Sequence, residues 1–126
     1  MKFSEDADSK HLMISAYGDD FITVNERRHA LPAMLGGEQP PRPWPVTSAA
    51  ALTPADLDLL LASDPEIVII GCGPRQHFLP PELLHHVMRH GIGCEVMTTP
   101  SACRTWNIIV SEGRRVAAGL LAPAPE

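Results

Sequence analysis

The segment from residue 95 to residue 121 constrains the fold most, because it predicts a strand, a helix and a second strand in succession. Residues 94–97 favour a short strand, and residues 98–100 supply a hydroxyl cap and then a proline suited to the first helical turn. Gly113 is expected to end the helix in a left-handed conformation. Residues 114–121 are apolar on both sides of a pleat, which indicates a central strand covered on both faces.

The helix expected from about Thr99 has one apolar face and one polar face. At helical spacing, the apolar face carries Ala102, Cys103, Trp106, Ile109 and Val110. The opposite face carries Arg104, Asn107 and Ser111. This amphipathic pattern predicts a helix packed against a sheet.

A similar unit precedes this one. Residues 66–70 form a β-branched run typical of a buried strand, residues 71–74 a glycine-rich turn, and residues 80–89 a helix opened by two prolines. Two such units in succession predict an α/β fold. We expect a single three-layer domain over residues 1–126, with a largely parallel central sheet, flanking helices and an N-terminal β-hairpin.

The N-terminal third has a different pattern. Residues 11–16 and 21–24 alternate as two strands around a turn at residues 18–20, and residues 30–35 are a candidate third strand. Residues 36–45 are dense in glycine and proline and predict a long surface loop.

Trp44 lies between two prolines in this loop and has two interpretations. It either anchors the loop to the core or is an exposed recognition residue, and the large burial energy of an aromatic ring favours the anchor. The next element is a helix, because Thr53, Pro54 and Asp56 form a capping box with proline at its first position.

The charge balance excludes some partners. Ten basic and fifteen acidic residues give a net charge of −5, without a long run of either sign, which argues against nucleic acid or an anionic membrane as the main partner. No apolar stretch reaches transmembrane length, and the acidic residues 1–6 do not resemble a signal peptide. We therefore expect a cytoplasmic protein without membrane insertion.

The histidines and cysteines have mainly structural interpretations. His86 and His90 share a helix face, but no further ligands with suitable spacing complete a metal site, so no metal and no cofactor are expected. Three widely spaced cysteines indicate reduced thiols, with Cys94 as a small buried residue. Cys72 follows a strand and Cys103 lies near a helix start, where the helix dipole would lower a thiol pKa, although packing is favoured for both.

The carboxyl ends of the two predicted strands are a candidate ligand site, because open α/β sheets bind ligands there. A small anion would contact the glycine turn and the helix start, with Arg104 as a charged clamp. The candidate binding residues are Gly71, Cys72, Gly73, Thr98, Thr99, Ser101, Cys103, Arg104 and Asn107. In the alternative interpretation these groups bond internally: Thr98 caps the helix, Arg104 pairs with Glu95 or Glu112, and the polar face ties the helix to the N-terminal hairpin.

The segments IIGCG, GIGCEVM, ACRTWN and SEGRRVAAGLL resemble a domain-of-unknown-function family. That family includes the mitochondrial complex I assembly factor 3 (NADH dehydrogenase alpha subcomplex assembly factor 3) and the adipogenesis-associated Mth-type domain protein. Weaker matches at Tyr17, residues 22–25 and Trp44 extend the resemblance over nearly the whole chain. The resemblance implies the α/β fold, a protein partner and a role in respiratory-complex assembly.

Three functions follow, in order of preference. The first is a non-enzymatic protein-interaction or assembly-factor-like module, whose candidate contact residues are Ile108, on the polar side of its helix, and Trp44. The second is a small-molecule or anion-binding protein, with enzymatic activity left open, that uses residues 71–73 and 98–104. The third is a thiol redox sensor that uses Cys72 and Cys103. Neither a nucleophile with a neighbouring base nor a pair of carboxylates is visible in the sequence, which argues against an enzyme.

Overall fold

The computed structural model describes residues 12–123, and within this range eight strands form two sheets. The strands are β1 (Ile14–Tyr17), β2 (Phe21–Val24), β3 (Arg27–Ala30), β4 (Ala33–Gly36), β5 (Gln39–Pro43), β6 (Ile67–Gly71), β7 (Gly93–Met97) and β8 (Val116–Leu120). The helices are α1 (Pro54–Leu61), α2 (Pro81–Met88) and α3 (Thr99–Ser111), with a 3₁₀ turn at Ala49–Ala51. This is the mixed α/β architecture that the sequence predicts.

The larger sheet has the strand order β5-β4-β8-β6-β7. The three strands predicted from the second half of the chain are its parallel part, since β6 pairs in parallel with both β7 and β8. On the other side of β8, β4 and β5 continue the sheet in antiparallel orientation. The predicted α/β class and parallel strands are confirmed, and the sheet is extended by strands from the N-terminal part.

The larger sheet is covered on both faces, which gives the three layers expected. One core cluster joins α3 and the small sheet to one face and contains Trp106, Ile69 and Ala118. The other joins α1 and α2 to the opposite face and contains Trp44, Leu57 and Val87. All residues of β6 and β8 are buried, as expected for central strands.

Helix α3 begins and ends for the reasons expected from its sequence. The hydroxyl of Thr98 accepts a hydrogen bond from the Ser101 amide, and Pro100 lies in the first turn. At the other end Gly113 has φ +78°, and the amides of Gly113 and Arg114 donate to the carbonyls of Val110 and Ile109. These two bonds form a Schellman motif. The predicted apolar face is buried in full.

The small sheet contains the predicted N-terminal hairpin, with the order β1-β2-β3. The candidate strand at residues 30–35 is interrupted: Ala30 is the last residue of β3 in the small sheet, and residues 33–35 belong to β4 in the larger sheet. The Leu31–Pro32 bond between them is cis. His11, the first residue of the predicted first strand, and residues 1–6 lie outside the described residues.

The structure corrects the prediction for residues 36–45 and decides between the two interpretations of Trp44. This segment is not only a surface loop, because it contains β5, an edge strand that pairs with β4. Prolines are compatible with an edge strand, since amides on its outer side need no partner. Trp44 is not a surface recognition residue: it is 2% exposed, and its ring nitrogen donates to the Asp56 carbonyl. The anchor interpretation of Trp44 is correct.

Candidate functional site

The glycine turn and the start of α3 meet at the carboxyl end of the larger sheet. Strands β6 and β7 pair in register up to Gly71 and Met97. Beyond these residues the Cys72 amide donates to the Met97 carbonyl over 2.8 Å, and the Thr99 amide donates to the Gly73 carbonyl over 2.8 Å. The two strand ends proposed to form a site are therefore adjacent and directly bonded.

Thr99 joins three elements at this position. Its hydroxyl accepts a hydrogen bond from the Gly73 amide at 2.8 Å and donates to the Leu121 carbonyl at 2.7 Å. The residue is 4% exposed and is the buried polar residue of the described core. Because both functions of the hydroxyl are in use, Thr99 holds β6, β8 and α3 together rather than offering a free donor.

The amides of the first turn of α3 are occupied as well. The Ser101 amide donates to the Thr98 hydroxyl and the Ala102 amide to the Thr98 carbonyl, at 3.3 and 2.9 Å. Pro100 has no amide hydrogen. An anion at this helix start would therefore have to compete with existing bonds, so the geometry favours the internal interpretation of these groups.

The glycines of the turn are explained by close packing. A Cβ on Gly71 would lie 2.9 Å from the Thr99 hydroxyl and 3.0 Å from its Cα, so any side chain would push α3 away from β6. Gly73 has φ +92°, and a Cβ there would lie 3.2 Å from the Ala122 carbonyl oxygen. Both positions require glycine for the backbone arrangement itself.

A cleft of about 230 Å³ lies beside this junction. Its walls include Tyr17 and Asp19 from the hairpin, Pro74 from the turn, and Pro100 from α3. Sequence reasoning missed Tyr17 and Asp19 as members of this region. No local signal could have identified them, because their position depends on how the hairpin packs against α3.

Within residues 12–123, Arg104 contacts the hairpin and not a carboxylate. Its guanidinium donates to the Tyr17 hydroxyl at 2.8 Å and to the Ser101 hydroxyl at 3.3 Å. The predicted pairing with Glu95 or Glu112 is therefore wrong, although the predicted connection between α3 and the hairpin is present.

Asn107 makes the second connection to the hairpin. Its side-chain oxygen accepts from the Ile14 amide and its side-chain nitrogen donates to the Ile14 carbonyl, both at 2.8 Å. The Asn107 carboxamide thus makes the two hydrogen bonds to Ile14 that the backbone of a neighbouring strand would otherwise make. The prediction that the polar face of α3 ties the helix to the hairpin is confirmed at this residue.

The two thiols considered for redox chemistry lie on opposite faces of the sheet, since Cys103 belongs to the α3 core cluster and Cys72 to the other. Burial raises the pKa of the Cys103 thiol to about 11, and the Arg104 charge opposes only part of this shift. Burial also raises the pKa of Cys72. The expected lowering of the Cys103 pKa is therefore wrong, because desolvation outweighs the helix dipole. Both thiols are protonated packing residues at neutral pH.

Two exposed apolar side chains are candidates for contact with a partner. Ile108 is 58% exposed on the outer face of α3, as the sequence indicated. Phe78 is 93% exposed on the loop between β6 and α2, and sequence reasoning missed it. The signal was present, because Phe78 lies in a short segment bounded by Pro74 and Pro80, which excludes a helix and favours a surface loop.

His86 has a structural partner. Its Nε2 lies 2.7 Å from an Asp58 carboxylate oxygen, which links α2 to α1. Within residues 12–123, no three metal-ligating side chains converge on one point.

Among the described helices, none combines the length and the apolar character needed to cross a membrane.

Comparison with known proteins places these features in a family. The profile of the family described as "Protein of unknown function (DUF498/DUF598)" matches residues 14–121. The chain belongs to this family. The match includes the glycine turn, α3 and the final strand.

Named relatives and solved structures agree with this assignment. The chain is 33% identical to bovine NADH dehydrogenase [ubiquinone] 1 alpha subcomplex assembly factor 3 over 89% of its own length and 61% of the relative's. It spans between 45% and 62% of the lengths of the assembly-factor relatives from six vertebrates. A crystal structure of a Bordetella parapertussis protein has a TM-score of 0.80 at 38% identity, covering 90% of this chain and 97% of the other. A Bordetella pertussis Mth938-like domain has a TM-score of 0.77 at 32% identity, covering 91% and 88%.

Proposed function

We propose that this protein is a non-enzymatic interaction module with a role similar to that of the relatives named as assembly factors, and that it acts by binding other proteins. The observation that carries the proposal is the Phe78 side chain, which is 93% exposed on the loop between β6 and α2. Gln76 of this loop bonds to β7 and Leu79 is buried, so the loop is attached to the folded domain on both sides of Phe78. Exposed aromatic rings of this kind are typical contact residues for protein partners.

The hydrogen bonding at the candidate anion site, between the glycine turn and the start of α3, supports the same proposal. The hydroxyl of Thr99 and the amides of Gly73 and Ser101 already have internal partners, so a small anion would find few unused donors there. Ile108 adds a second exposed apolar contact on α3. These observations favour a surface that binds a protein over a cavity that binds a small molecule.

The named relatives suggest what is assembled. Since the bovine relative is called an assembly factor of NADH dehydrogenase, the proposed partners are subunits or other assembly factors of a respiratory complex.

We further propose that the protein acts in the cytoplasm. Fractionation of source cells tests this location, and recovery in the membrane pellet after a high-salt wash would contradict it.

Affinity capture tests the proposed function. The tagged protein, expressed at its natural level, should capture one or a few proteins in near-stoichiometric amounts, with respiratory-complex components among them. The bait Phe78→Asp should capture less of the partner than wild type, whereas Leu59→Asp, at another exposed apolar position, on α1, should not differ from wild type. If wild type captures nothing above an untagged control, the proposed function is wrong.

A further inference from the structure

Strand β7 is an open edge of the larger sheet. Within the described range it pairs only with β6, at the end of the strand order. The Gly93 amide donates to the Glu66 carbonyl at 3.1 Å, and the Met97 carbonyl accepts from the Cys72 amide at 2.8 Å. Because backbone direction alternates along a strand, Cys94 and Val96 direct their amides and carbonyls away from β6.

One of these outward groups already has a substitute partner. The side-chain amide of Gln76 donates to the Val96 carbonyl at 3.0 Å and to the His77 carbonyl at 3.1 Å. It occupies the position that an amide of a neighbouring strand would take. No other residue of the range 12–123 pairs with the Cys94 amide, the Cys94 carbonyl or the Val96 amide, so within this range they are available to an incoming strand.

The side chains of β7 define what that strand should contain. Cys94 and Val96 are half-buried and pack with the core cluster on the α2 face. Glu95 points to the α3 face and is exposed, and among residues 12–123 no basic side chain forms an ion pair with it. An added strand would therefore gain from apolar side chains on the α2 face and from a lysine or arginine opposite Glu95.

We propose that the β7 edge binds an extended segment of the partner protein by strand addition, and that this segment alternates apolar with basic residues. The proposal rests on the proposed function and assigns its contact surface. Phe78 lies two residues beyond Gln76 and offers an apolar contact for residues that flank the added strand. Recognition by main-chain hydrogen bonds at an open edge, with side chains adding specificity, is an established mode of peptide binding.

A second copy of this chain fits the edge less well. Antiparallel pairing of two β7 strands about Glu95 would place the two Glu95 carboxylates directly opposite each other, which is destabilising. A basic segment replaces this repulsion by attraction. The charge on the edge therefore favours a different protein as the occupant.

Titration with synthetic peptides, followed by the amide resonances of ¹⁵N-labelled protein, tests the edge directly. A heptapeptide that alternates valine and lysine should shift the amides of Cys94 and Val96 first, and should bind about five- to tenfold more tightly than a heptapeptide of valine and glutamate. Glu95→Lys should reverse this preference. Glu112→Lys, which changes the net charge equally on another exposed site, should not.

Several results would overturn the proposal. One is that Glu95→Lys still prefers the valine–lysine peptide. Another is that Glu112→Lys loses this preference as well. A third is that the peptide shifts other amide resonances but not those of Cys94 and Val96. The same two variants, used as baits in the capture experiment, separate this inference from the proposed function. If wild type and Glu95→Lys capture the partner equally, the protein binds a partner but not at this edge. If no bait captures a partner, the proposed function fails, and the peptide titration still decides whether the edge accepts a strand.

Discussion

At the scale of single residues, Gly119 leaves room for the buried ring of Trp44. A Cβ at Gly119 would lie 2.4 Å from the ring carbon Cη2 of Trp44, far inside van der Waals contact. Trp44 is 2% exposed and cannot move into solvent without losing its packing. We therefore predict that Gly119→Ala lowers the free energy of unfolding by about 1–3 kcal/mol, as overpacking of cores does, in chemical denaturation experiments.

A double variant isolates this contact. In a Trp44→Phe background, where the smaller ring leaves space, the cost of Gly119→Ala should fall to less than half of its value in wild type. An equal cost in both backgrounds would show that the glycine is required for another reason.

Arg104 distinguishes a ligand site from a structural contact. Because its partners Tyr17 and Ser101 are at the surface, Arg104→Ala should lower the free energy of unfolding by about 0.5–1.5 kcal/mol, the usual contribution of a hydrogen bond. Inorganic phosphate should not raise the melting temperature of wild type more than that of the variant. Strong stabilisation by phosphate that disappears in Arg104→Ala would instead support the anion-binding function, since only a bound ligand stabilises by mass action.

Residue roles were predictable where they depend on nearby sequence. The buried face of α3 and its Thr98 cap follow from spacing and capping rules. The roles of Tyr17 and Asp19 were not predictable, because they depend on the position of the hairpin. The pKa of Cys103 was predicted in the wrong direction, because the sequence showed the helix start but not the extent of burial.

At the scale of elements, Asn107 holds the hairpin against α3 through both backbone groups of Ile14. Asn107→Ala leaves these two groups without a partner, and we expect a loss of about 1–3 kcal/mol in the free energy of unfolding. Hydrogen exchange should increase in β1 and β2 more than in β6. Ser111→Ala, on the same helix but outside this contact, serves as the control and should behave like wild type.

Elements with a strong local pattern were predicted to within one or two residues. Strands β6, β7 and β8, helices α2 and α3 and the first residue of α1 belong to this group. The prediction failed at β5, where proline and glycine content indicated a loop. An edge strand requires fewer backbone donors than a central strand, so its sequence need not look like a strand.

At the scale of the whole molecule, local sequence could not give the strand order. The insertion of β4 beside β8 depends on contacts between residues 81 to 87 positions apart, from Gly36 with Ala117 to Ala33 with Leu120. The three-layer α/β class was predictable, because it follows from the order of elements along the chain. The antiparallel extension of the sheet was not.

Residues 1–126 are proposed to fold as a single cooperative domain. The two tryptophans report on the two faces of the sheet, since Trp44 and Trp106 belong to different core clusters. In urea, variants that retain only one tryptophan (Trp44→Phe and Trp106→Phe) should each show a fluorescence transition that coincides with their own loss of circular dichroism. If the fluorescence transition and the circular-dichroism transition of one variant occur at different urea concentrations, the two faces of the sheet unfold separately.

The size of the endogenous protein in a native lysate tests most directly whether it functions by binding other proteins. In size-exclusion chromatography of source-cell lysate, followed by immunodetection, the chain should elute well ahead of the purified protein, and together with at least one other protein. Mild treatment with urea, too weak to unfold the purified chain, should release it to the position of the purified protein. Elution of the endogenous chain at the position of the purified protein in every untreated fraction would contradict the account.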